Sequence, residues 1–158
     1  MNQFQVSRIA WYSVALAVLT TIHHVYGAVI YHTPWRLHIL MISVPIIILT
    51  LVLRHQLIKK DAGNKCVVFW AFYFINLVPT LGLIGVFEGI YNHLLKNIMF
   101  FGGAGDRLLQ TLFPAPTYEM PNDLLFEVTG VMQGVIAFVL IKKMYSLTVF
   151  LFRLRQSV

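Results

Sequence analysis

Four apolar runs, each long enough to cross a bilayer, constrain this chain more than any other feature of its sequence. A spanning helix needs about 20 predominantly apolar residues, and in hydrocarbon only helices and closed barrels satisfy their own backbone groups. The runs extend from about Ile9 to Tyr31, Leu37 to Leu53, Cys66 to Leu95 and Leu124 to Ile141. None alternates with a period of two, so strands are not expected. The sequence predicts an all-α integral membrane protein, a four-helix bundle with residues 1–158 forming one transmembrane domain. A composition of 58% hydrophobic and 11% charged residues also excludes a water-soluble fold. The first run reads as a full span and not as a cleaved leader, because it continues past the small residues Ala15 to Ala17 and only Arg8 precedes it.

Charge sets the expected orientation. Nine of the twelve Lys and Arg residues (Arg8, Arg54, Lys59, Lys60, Lys65, Lys142, Lys143, Arg153 and Arg155) fall on the side shared by both termini and the second loop, leaving Arg36, Lys96 and Arg107 on the other. The positive-inside rule then places both termini in the cytoplasm and the first and third loops outside. A bacterial inner membrane fits best, with the bilayer as partner and with room for a homo-oligomer or a partner membrane subunit. The net charge of +6 follows topology, so nucleic acid is not an expected partner. Cys66 is the sole cysteine, which rules out an internal disulfide and a cysteine-rich metal site.

Local signals agree with the segmentation. Thr33 and Pro34 read as a helix start, and Asn122 or Asp123 can open the fourth helix. The third loop, Gly102 to Pro121, is long for a bundle connection. Within it a short helix over 106–113, capped by Asp106, is expected to lay Leu108, Leu109, Leu112 and Phe113 on the membrane surface, as a plain connector or as a lid. The segment from Met144 to Gln156 either prolongs the fourth helix or follows the interface. The aromatic run Phe69 to Phe74 belongs to an interfacial belt, and Asn76 beside Pro79 is expected to satisfy nearby backbone.

The stretch TTIHHVYGAVIYHTPWRLH, Thr20 to His38, places histidines where hydrocarbon is expected. At about 1.5 Å per residue, His23 on the first helix lies about 21 Å from the cytoplasmic end, His38 on the second about 24 Å and Glu127 on the fourth about 22 Å. Glu88 and His93 on the third helix lie in the same outer layer once the kink at Pro79 and the tilt of a long span are allowed for. Glu88 shares a face with Gly85 and Asn92, Glu127 with Gly130 and Gly134, and His23 and His24 with Gly27. Glycine stripes mark closely packed faces, so these groups are expected to point into the bundle.

Ionisable groups in hydrocarbon cost about 2.5 to 3.5 kcal/mol each on insertion scales unless paired or bound, which makes the cluster a candidate site. The expected metal ligands are His23, His24 and Glu127, followed by His38 and His93. Glu88 is the candidate proton-transferring base, and Tyr26, Tyr31, Trp35, Arg36, Tyr91 and Asn92 form a substrate rim. Imidazole and carboxylate suit zinc, copper, iron or manganese. Haem between His23 or His24 and His93 ranks lower, since acids at that level suit a macrocycle poorly. Glu88 and His93 are five apart, so the di-iron Glu-x-x-His spacing is absent. Two other classes remain: metal-free proton transfer on a lipid-like substrate whose anionic head Arg36 could hold, and a structural subunit whose polar groups pair with one another. His55 and His32 read as ordinary interfacial residues.

Overall fold

The computed structural model describes residues 3–59, 64–115 and 117–156, with side chains as far as residue 150. Lys60, and the side chains of Arg153 and Arg155, which entered the charge argument, lie outside that description. The described residues form helices and no strands. Four helices are long and apolar enough to cross a membrane. The first is Gln3–Ile30. The second begins as a 3₁₀ turn, Pro34–His38, and continues as the α-helix Ile39–Ile58. The third runs unbroken over Lys65–Phe101 and the fourth over Leu124–Gln156, so the C-terminal segment prolongs the fourth helix.

Large apolar side chains face outward, and several polar ones are buried beside an apolar core. Val29, Met41 and Leu124 are 67%, 81% and 82% exposed, whereas Ser13, Thr20, His23, Thr50, Asn76 and Gln133 are fully buried. Exposed apolar side chains with polar groups kept inside are the arrangement expected when the surrounding medium is hydrocarbon, which itself supplies no drive for helices to associate. Hydrogen bonds therefore run between helices: Thr20 Oγ1 donates to Gln133 Oε1 at 2.6 Å, and Tyr73 and Thr148 pair at 2.8 Å.

Two helix ends carry informative chemistry. Asp123 Oδ1 accepts from the backbone N–H of Phe126 at 2.8 Å, as expected of an N-cap. Thr33 makes no such bond; its Oγ1 accepts from Arg36 Nε at 2.8 Å and so helps to fix that side chain. The short loop helix, Asp106–Leu112, has Gly105 and not Asp106 at its N-cap. Its Leu109 and the following Phe113 are buried, and Tyr91 donates to Leu112 O at 2.9 Å, so the loop is fastened to the bundle.

The middle of the third helix, Asn76–Leu95, is wound as a π-helix. Pro79 cannot donate to the carbonyl of Ile75 four residues back, and the Thr80 hydroxyl donates to it at 2.9 Å. Asn76 likewise donates to Phe72 O at 2.7 Å. Bonding from i to i+5 puts more residues in each turn, which changes which side chains share a face.

The third and fourth helices come into backbone contact at their glycines. A Cβ on Gly89 would lie 2.7 Å from Gly134 N and 2.8 Å from Gln133 C, both backbone atoms that cannot yield cheaply. Gly105, in open space, meets nothing within 4 Å. Gly89→Ala is expected to lower stability by about 1–3 kcal/mol, as overpacking does, and Gly105→Ala to leave it unchanged. Thermal unfolding in mild detergent checks this; equal melting temperatures would contradict the close approach.

Candidate metal centre

In a straight α-helix, residues five apart are separated by about 140°. The π-winding closes that gap between Glu88 and His93: Glu88 Oε1 is 3.5 Å from His93 Nε2, while Glu88 Oε2 accepts from Asn92 Nδ2 at 2.7 Å. The first helix brings His24 Nε2 to 3.0 Å from the same Oε1. Beside this, His23 stands edge-on to His93 with ring centroids 4.4 Å apart, its other face stacked on Phe126 at 4.0 Å. His23, Glu88 and His93 each present a donor atom within 4.8 Å of the others, a group that can hold a metal ion.

The hydrogen bonds around the cluster select its protonation state. Thr129 Oγ1 donates to Leu125 O at 2.8 Å, so it accepts from His23 Nδ1, 2.9 Å away. The proton is thereby fixed on Nδ1, and the lone pair lies on Nε2, which is buried with no hydrogen-bond partner. His93 turns its Nδ1 toward Glu127 Oε2 at 3.6 Å and its Nε2 toward Glu88. His23 is thus oriented on its far nitrogen by Thr129, Glu127 faces that of His93 without a hydrogen bond, and Glu88 is itself hydrogen-bonded to His24 and Asn92. That is how metal-ligating histidines and carboxylates are ordinarily supported. An imidazole lone pair beside a carboxylate in a dry interior also favours a cation between them.

Each residue singled out in the sequence has a definite place. His24 bonds to Glu88, and Glu127 stands behind His93, accepting from Asn97 Nδ2 at 2.6 Å. His38 is exposed and turns its Nδ1 to Trp35 O at 2.6 Å. Trp35, Arg36 and Asn92 line a cavity of about 180 Å³ with His24, Glu88 and His93. Tyr26 and Tyr31 instead tie the first helix to the start of the fourth, through Asp123 at 3.3 Å and Asn122 at 2.5 Å. Tyr91 anchors the third loop. Glu88, expected as a base, belongs to the metal-compatible group, which includes neither His24 nor Glu127.

Lys96, Asn97, Thr129, Phe126 and the loop residues Thr117 to Glu119 were not anticipated. Lys96 is only 2% exposed; it donates to Glu119 O and lies 3.7 Å from Glu127 Oε1. The apolar run Ile98 to Phe101 beyond it was the available signal that the helix continues. Thr117, Tyr118 and Glu119 line the cavity from the third loop. Burial there raises the Tyr118 hydroxyl above the usual phenol value, with Tyr91 and Glu88 adding to the effect, so it remains a neutral donor. Gly130 leaves room for His93, because a Cβ there would run into the imidazole ring.

The rings of His23 and His93 leave no slot between them for a macrocycle. Comparison of the chain with protein-family models, with characterised proteins and with solved structures finds no match.

Removing one partner of a buried ion pair costs about 3–5 kcal/mol. Lys96→Met is expected to destabilise the protein on that scale, whereas Lys142→Met, at an exposed position, is not. Thermal unfolding of both variants in detergent is the check, and matching transitions would remove Lys96 from the buried network.

Proposed function

We propose that this is a membrane protein that binds a transition metal through His23, Glu88 and His93, and that the metal serves chemistry on a membrane-soluble substrate. The observation that carries the reading is the orphaned Nε2 lone pair of His23, fixed by Thr129 and buried beside a carboxylate and a second imidazole. Two imidazoles and one carboxylate leave coordination positions open, as in zinc hydrolase and non-haem iron sites. Zinc, iron, manganese and copper all suit this donor set. Such a metal would polarise a substrate oxygen or activate water, while Glu127 and Thr129 hold the imidazoles in place.

Access from the bilayer supports a lipid-like substrate. A largely apolar groove of about 590 Å³, walled by Phe101, Leu124, Val128 and Met132, reaches Glu127 and Asn97 at the back of the cluster. By the distribution of Lys and Arg, the site faces the periplasm of a bacterial inner membrane or an equivalent outer side, with both termini cytoplasmic. A metal-free second reading draws on the alternation His24, Glu88, His93, Glu127, in which successive groups lie 3.0, 3.5 and 3.6 Å apart. Such a chain is suited to moving a proton to a bound lipid.

Elemental analysis of protein purified in mild detergent without a histidine tag separates the two. Near-stoichiometric metal is expected, lost in His23→Ala and Glu88→Ala and retained in His55→Ala. Thr129→Val should keep the fold and weaken metal affinity by about 10–100-fold, the usual effect of losing such a support. Equal metal content in the ligand variants would sink the assignment, and protein that takes up no metal would favour proton transfer.

A further inference from the structure

Two buried cations lie outside the metal-compatible group. Arg36 is 5% exposed and Lys96 2%, and both line the cavity that Glu88 and His93 also face. Arg36 Nη2 makes no hydrogen bond, and its nearest acid, Glu119 Oε1 on the third loop, stays at 3.6 Å. Lys96 reaches the same residue through its main-chain oxygen. A buried guanidinium with unused donors is costly, and its planar fork suits carboxylate and phosphate oxygens.

Charge points the same way. With neutral imidazoles, the two cations Arg36 and Lys96 against the three acids Glu88, Glu119 and Glu127 sum to −1. A divalent metal brings this to +1, which one monoanion neutralises; with Glu119 swung out to water the sum is +2, which suits a phosphate. Glu119, with a side chain 28% exposed on a loop, is the acid best placed to leave.

We propose that the cavity under the third loop binds the carboxylate or phosphate of an anionic ligand through Arg36 and Lys96, and that Glu119 is the built-in competitor displaced by that ligand. The charge sum rests on the metal-binding reading, whereas the unused Nη2 of Arg36 does not. A membrane amphiphile and a water-soluble anion share this head-group chemistry.

The test uses the full chain in phosphatidylcholine nanodiscs, titrated with inorganic phosphate and with decanoate, both zinc-loaded and after chelator treatment. Zinc binding is measured separately in anion-free buffer. At least one probe is expected to bind, at least about tenfold more tightly in Glu119→Gln and on the order of thirtyfold or more weakly in Arg36→Gln. Decanoate binding alone would identify a membrane amphiphile, and phosphate binding a free anion or a phosphate head group. If Arg36→Gln does not fold, the comparison of Glu119→Gln with the unaltered protein decides. Failure of both probes on folded Glu119→Gln, or affinities indifferent to Glu119, would overturn the proposal. Anion binding without zinc uptake would sink the metal reading and leave this one standing; zinc uptake without anion binding would do the reverse.

Discussion

Glu88 holds the centre of this bundle together. One of its oxygens faces His24 at 3.0 Å and His93 at 3.5 Å, and the other takes the Asn92 amide at 2.7 Å. A carboxylate in the interior of a membrane bundle is tolerated only when its partners are already in place, and here they come from two helices. Glu127 extends the same logic to the fourth helix through His93, Asn97 and Lys96. The histidines of the first helix and the glycines of the fourth thus answer to one requirement, that of surrounding buried charge with ligands.

Close packing makes that possible. Gly89 against Gly134 and Gly130 against His93 remove the side chains that would otherwise hold the third and fourth helices apart. The π-winding that accompanies Pro79 then rotates Glu88 and His93 onto one side. The same segment therefore sets both the distance between helices and the composition of the cluster.

Much of this was legible from residue types alone. The four apolar runs located the four long helices, and the glycine spacing around Glu88 and Glu127 marked the packed faces. What escaped detection has physical causes. Counting at 100° per residue separates Glu88 from His93, and nothing local in the sequence announces a change to i→i+5 bonding over so long a stretch. Lys96 reads as a loop cation because a buried lysine is rare, and its partners, Glu127 and the Glu119 carbonyl, are distant in sequence. Thr129 is an ordinary helix residue until the first helix sets His23 against it. The fourth helix's cap, by contrast, was readable to within one residue, Asn122 or Asp123, because capping chemistry is local.

The central claim is that imidazole from two helices and a carboxylate converge on one metal. X-ray absorption at the metal edge of zinc-loaded protein measures this directly. The account predicts two imidazole ligands at about 2.0–2.1 Å with oxygen completing the shell and no sulfur. A shell of oxygen alone, or one in which His23→Gln leaves the imidazole scattering unchanged, would contradict it.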